Sequence, residues 1–223
     1  LVSLILTCIL PQMSGTITKL EIQKRNKERV NVYLDEQFSF GVMLSVALEL
    51  KKGQVLSDAD IEQLKQQDNR HKAYQRALNY LSFRARSRVE IERYLRDKKY
   101  DPDVIAATIE RLDEAGLVDD TAFAESWVAN RERLKPKGAR ALRYELQQKG
   151  LSETAIDAAL EQIDESELAW RAIEKKVRQW QALDEDGFKR KAMAYLSRRG
   201  FDYDVTIETV ERAWQKVTSE QTG

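Results

Sequence analysis

Three stretches of the chain, each about fifty residues after the last, close a helix in the same way: Lys98-Lys99-Tyr100, Lys149-Gly150-Leu151 and Arg199-Gly200-Phe201. A step of 51 positions and then one of 50 brings Leu95, Leu146 and Leu196 into register. The same steps align Ile91, Leu142 and Ala192 on one side, and Ile109, Leu160 and Val210 on the other. Apolar positions that return at so long an interval describe repeated small helical units, each too small to bury its own apolar face and therefore stacked on its neighbours. The expected fold is mainly α, with three tandem three-helix repeats in a right-handed elongated stack, a surface suited to lying along another molecule.

Local punctuation divides the repeats. Ser87 with Glu90 is a capping box, Asp101-Pro102 places an acceptor and a proline at a helix start, and Gly116 ends that helix. Helices are predicted near 71–83, 88–98 and 102–114 in the first repeat (71–118). In the second (119–165) they fall near 121–134, 138–149 and 153–164, opened by Asp120, Gly138 and Ser152. The third (166–217) holds helices near 166–182, 186–199 and 203–217. Lys99 stands where the later repeats have Gly150 and Gly200. A side chain in a left-handed helix stop costs roughly 1 kcal/mol or more, so this stop is either strained or built differently.

Ahead of the repeats the period changes to two. Leu20 and Ile22, then Val30, Val32 and Leu34, then Phe38, Phe40 and Val42 predict a three-stranded antiparallel β unit, with Asp35-Glu36 as a tight turn. A meander of this size is marginal alone, so a helix over 43–50 is expected to pack on it and complete a unit of residues 13–56. Residues 57–70, opened by Ser57 and Asp60, read as a polar helical linker. Leu1 to Gln12 are apolar and unlike the rest, too few to span a bilayer and without the basic start of an export signal. Translation is expected to begin at Met13, which would leave a chain without cysteine and point to the cytoplasm.

Chemistry is mostly excluded. With His71 the single histidine and Cys8 the single cysteine, no zinc cluster or Cys/His nucleophile pair can be assembled. No phosphate-binding glycine loop or nucleophile elbow occurs either, so neither enzyme activity nor any cofactor or metal is expected. Phe123 and Trp127, four apart on one helix, read as core rather than as a stacking platform.

The 37 basic residues balance 37 acidic ones, so electrostatic targeting must be local. Residues 131–143 hold Arg131, Arg133, Lys135, Lys137, Arg140 and Arg143 against the single acid Glu132. Arg84, Arg86 and Arg88 occupy the corresponding loop of the first repeat, and Lys189, Arg190 and Lys191 lie in the third. Regular stacking would align these loops as a basic stripe for a partner or for DNA.

The runs RALNYLSFRARSRVEIERYL (76–95), GLVDDTAFAESWVANR (116–131) and KGARALRYELQQKGL (137–151) resemble the RecX family of bacterial recombinase regulators, in order and spacing, over about 71–217. Matching positions include Arg84, Ser87, Asp119, Asp120, Phe123, Trp127, Arg131, Gly138 and Gly150. The resemblance implies a non-enzymatic, cytoplasmic protein that docks in the groove of the RecA filament. There it would lower ATPase, strand-exchange and repressor-cleavage activity and act as a negative regulator of recombination and the SOS response. RecA is then the partner, with DNA enclosed in the filament and no membrane. A monomer is expected, since no heptad seam is visible. Direct DNA binding by the helical repeats, or an adaptor role for another partner, is the competing reading.

Overall fold

The computed structural model describes residues 14–222; the leader, its start at Met13 and Cys8 lie outside the described residues. Those residues form two compact units, one of residues up to Asn79 with Tyr100–Thr108, the other of Tyr80–Lys99 with residues from Ile109 onward.

The first unit is built on a sheet of order β3-β2-β1-β4, from β1 (Gly15–Ile22), β2 (Arg29–Leu34), β3 (Gln37–Met43) and β4 (Val55–Leu56). The fourth strand is an addition to the expected three. After the short α1 (Leu44–Ala47) the chain returns to pair Gly15 with Leu56 and Thr16 with Val55, a contact too short to leave a periodic signature. Asp35 and Glu36 form the predicted tight turn with φ of 46° and 68°, joining Leu34 directly to Gln37. Val30, Val32, Leu34, Phe40 and Val42 enter the core with Ile17, Leu56 and Ile61. Phe38 does not: a bulge opposite Val32 and Tyr33 reverses the alternation, leaving Phe38 exposed and edge-on to Tyr33 at 5.9 Å.

No break separates the expected linker from the first repeat helix. One helix, α2, runs over Asp58–Leu81, because no glycine or proline interrupts residues 58–81. Asp68, buried on α2, receives both guanidinium nitrogens of Arg29 at 2.8 and 2.9 Å and so ties this helix to β2.

The remaining helices are α3 (Arg88–Asp97), α4 (Pro102–Glu114), α5 (Asp120–Leu134), α6 (Ala139–Gln148), α7 (Glu153–Leu160), α8 (Glu165–Trp180), α9 (Glu185–Arg198) and α10 (Tyr203–Thr222). The residues aligned by the fifty-residue step are core in every copy. Ile91, Leu142, Ala192, Leu95, Leu146 and Leu196 are fully buried, and Ile109, Leu160 and Val210 nearly so. The second repeat packs Phe123, Val128, Leu142, Leu146 and Ile156 together; the third packs Leu168, Ile173, Val177, Phe188, Leu196, Phe201 and Val217. Ile163 touches both clusters.

Successive repeats meet at a junction that recurs. The N-terminal end of one repeat's second helix abuts the C-terminal end of the next repeat's second helix: Ser87 Oγ donates to the Lys149 carbonyl at 2.6 Å, and the Gly138 amide donates to the Arg199 carbonyl at 3.0 Å. The first amide of the helix in question finds a carboxylate on the first residue of the helix that opens the next repeat, Arg88 N on Asp120 of α5 at 2.9 Å and Ala139 N on Glu165 of α8 at 3.0 Å. A helix N-terminus exposes unpaired donors and partial positive charge. Each repeat therefore helps to cap its predecessor.

Candidate functional site

The predicted basic residues divide by what they touch. Arg84 forks onto Glu90 at 2.9 and 3.2 Å. The Arg86 guanidinium lies 4.0 Å from the centre of the Tyr80 ring, itself stacked on Tyr94 at 4.1 Å. Arg88 pairs with Asp113 at 2.7 Å, and Arg143 with Glu153 at 2.8 Å and with Asp157. Arg140 donates to the Ser197 carbonyl at 3.3 Å.

Arg131 and Lys137 converge on Glu145, which also accepts the Trp127 indole N–H at 2.8 Å. Burial of Glu145 opposes its ionisation, but hydrogen bonds from Lys137, Arg131 and Trp127 outweigh it and hold the carboxyl below its usual range. Arg131 and Lys149 also lie over the Trp127 ring, at 4.7 and 4.9 Å. Trp127 is thus a half-buried hub of the second repeat, packed at the edge of its core. Lys149 extends the network across the junction, donating to Glu90 at 2.7 Å.

Arg133 and Lys135 are different. Both are exposed, and among the described residues neither has an ion-pair partner. They line a cleft of about 450 Å³ together with Leu134 and Pro136, with Arg171, Lys175 and Lys176 of α8, and with Tyr195 and Arg199 of α9. Six cations face this space against one carboxylate, Glu174. Two of the arginines are oriented without being neutralised. Arg171 donates to the Glu132 carbonyl at 2.9 Å, and Arg199 donates to the Pro136 carbonyl at 2.9 Å while lying over the Tyr195 ring at 4.7 Å. Arg171 and Lys175, four apart on one helix face, repel one another by a few tenths of a kcal/mol, ~0.2–0.5. A carboxylate or phosphate entering the cleft relieves that repulsion and meets donors already positioned.

The first and second basic loops are therefore largely consumed by pairing within the chain, and the cleft is where positive charge is left available. Arg171, Lys175, Lys176 and Arg199 had no signal in the charge run of 131–143, since they arrive from another repeat. In the third basic group, Lys189 is paired with Glu185 and Glu211 at 2.8 and 2.6 Å, and Lys191 lies 5.5 Å from the Trp180 ring. Among the described residues no cluster of three or more His, Cys, Asp or Glu is placed to hold a metal ion, and no helix is long and apolar enough to cross a membrane.

Comparison with known proteins covers both units. Residues 15–57 match the regulatory protein RecX N-terminal domain; residues 73–112, 119–160 and 163–210 match the first, second and third three-helix domains of RecX. Regulatory protein RecX of Bacillus subtilis is 37% identical over 201 residues, covering 88% of this chain and 76% of the relative. That of Listeria monocytogenes is 34% identical over 209 residues, covering 92% and 76%. A crystal structure of regulatory protein RecX superposes with a TM-score of 0.72 at 32% identity, over 89% of this chain and 99% of that one. RecX from Lactobacillus salivarius gives 0.61 at 28% identity, over 66% and 97%.

Proposed function

Because the chain belongs to the RecX family of regulatory proteins, we propose that it is a non-enzymatic negative regulator of homologous recombination and the SOS response. It docks in the groove of the RecA nucleoprotein filament and lowers its ATPase, strand-exchange and co-protease activities. The observation that carries this reading is the succession of four RecX segments, in order, from residue 15 to residue 210. Inhibition of this kind needs no catalytic residue, only a regulator that binds one filament state better than another. The protein acts as a monomer in the cytoplasm.

The cleft around Arg133, Lys135, Arg171 and Lys175 supplies a preorganised basic face on an otherwise neutral chain, matched to acidic filament surface or to the enclosed strand. The test is ATP hydrolysis by RecA on single-stranded DNA with substoichiometric amounts of this protein. A fall in rate is expected; an unchanged rate at every ratio would sink the proposal.

The same six cations favour a second reading, direct binding of DNA. It requires affinity for naked single-stranded DNA that falls with salt, by roughly 0.7 unit of log K per unit of log salt for each phosphate contact. A flat salt dependence rejects it.

A further inference from the structure

Phe83, at 83% exposure, is the most exposed large apolar side chain among the described residues, and Leu134 is 68% exposed. The 51-residue step that superimposes the core positions of the first two repeats carries Phe83 onto Leu134. Both stand at the end of their repeat's first helix, Phe83 two residues beyond α2 and Leu134 as the last residue of α5. Each is followed by cations at the first and third positions, Arg84 and Arg86 in one case, Lys135 and Lys137 in the other. The junction that follows each loop is also equivalent, from Ser87 to Lys149 and from Gly138 to Arg199. In the third repeat the corresponding position is Asp184, which caps α9 instead.

A single exposed apolar side chain needs no explanation. Two at one register of consecutive repeats do, because both stand mostly in solvent, where little of their apolar surface is buried by folding. We propose that Phe83 and Leu134 are paired anchors that enter apolar pockets on two successive subunits of a protein polymer. This rests on the filament-binding reading and names its contact residues. The partner surface is protein rather than nucleic acid. Base stacking needs an aromatic face, which leucine lacks, whereas an apolar pocket accepts phenylalanine and leucine alike. The pocket rim is acidic, to match Lys135 and Arg133, which are exposed beside Leu134. Two anchors held one repeat apart gain from a partner that itself repeats, since the second contact forms at high effective concentration.

The experiment compares the unaltered chain with Phe83→Ala, Leu134→Ala and the double variant. Binding is measured to RecA filaments on single-stranded DNA, to DNA-free RecA and to naked DNA. Each single variant is expected to lose about ten-fold in filament affinity, as truncated interface anchors do, and the double variant about a hundred-fold. Melting temperature should not move, and Leu134→Phe should keep its affinity. If the unaltered chain fails to bind filaments, the filament-binding reading falls and this inference with it. If it binds and the double variant binds equally well, the anchors alone are overturned. Loss confined to one of the two sites overturns the pairing, and an equal loss on naked DNA overturns the protein pocket.

Discussion

The two junctions between repeats do the same work with different chemistry. Where the first repeat meets the second, contact is made by side chains: the Ser87 hydroxyl on the Lys149 carbonyl, and Glu90 shared by Arg84 and Lys149. Where the second meets the third, Arg140 and Arg199 also reach across to carbonyls, but the closest approach is backbone: a side chain on Gly138 would overlap Gly200 and Phe201, and one on Gly200 would overlap Ala141. The first junction can yield by moving rotamers or losing ions, while at the second the tightest approach, Gly138 against Gly200 and Phe201, is backbone on backbone and cannot yield in that way. A repeated architecture therefore carries one ionic and one steric joint, which should respond differently to mutation, acid and salt.

The largest effect tests the steric joint. Gly200 has a φ of 82° as well as no room for a β-carbon. Gly200→Ala should therefore cost about 3 kcal/mol or more, the sum of left-handed strain and overpacking. Gly150→Ala meets the same φ problem at 78°, but its neighbour is the Val89 side chain rather than backbone. Its cost should be nearer 2 kcal/mol. Urea midpoints at constant m-value give the order, and a reversed order would erase the distinction between the two joints.

Next is the ionic joint. Burial opposes ionisation of Glu90, but hydrogen bonds from Arg84 and Lys149 prevail and hold its carboxyl down at about 2. A depressed carboxyl contributes its full stability above the unfolded-state value near 4.5 and loses it as the pH falls from there toward 2. Glu90→Gln should cost roughly 2 kcal/mol at neutral pH. The gap between variant and parent should close across that acid window and narrow with added salt. A gap independent of pH would mean that the carboxylate charge contributes nothing at this joint.

What was readable in the sequence follows the range of the interaction. The apolar register, the Ser87–Glu90 box and the helix stops are local, and all of them reappear in place. The opening of α5 was readable to within one residue, at Asp120 where the cap is Asp119, yet the division of labour between the two was not. Asp119 caps its own helix through Thr121 and Ala122, while Asp120 serves Arg88 from 32 residues away. The basic run of 131–143 looked unopposed because the acid that takes up Arg131 and Lys137 is Glu145, just past its end, and those for Arg143 are on α7. Charge counted along a chain overstates charge available at a surface whenever the neutralising groups come from the next helix.

A smaller effect asks whether one joint can be converted into the other. Ser87 stands where the second junction has Gly138, and its hydroxyl both accepts from Glu90 N at 3.2 Å and donates to Lys149 O. Ser87→Gly keeps an acceptable cap residue, at a cost of a few tenths of a kcal/mol, roughly 0.3. It removes the bond to Lys149, worth about 1 kcal/mol. A loss much below 1 kcal/mol would indicate that the glycine amide takes over the carbonyl, as Gly138 does, and that the chemistry of the two joints is interchangeable.

The smallest effect has the opposite sign. Lys99 resolves the choice left by its sequence: it does adopt the left-handed stop, with φ of 65°. Gly150 and Gly200 answer two demands, a positive φ and the close approach of the preceding repeat's second helix. The first repeat has no repeat before it, so its stop faces only the first demand. A side chain there costs strain of roughly 1 kcal/mol, partly offset by the greater entropy that glycine loses on folding. Lys99→Gly should therefore stabilise the chain by about 0.5 kcal/mol, seen as a small rise in the urea midpoint. A loss instead would show that the Lys99 side chain makes a contact outweighing its strain, and the first stop would then be adapted to a neighbour as the other two are.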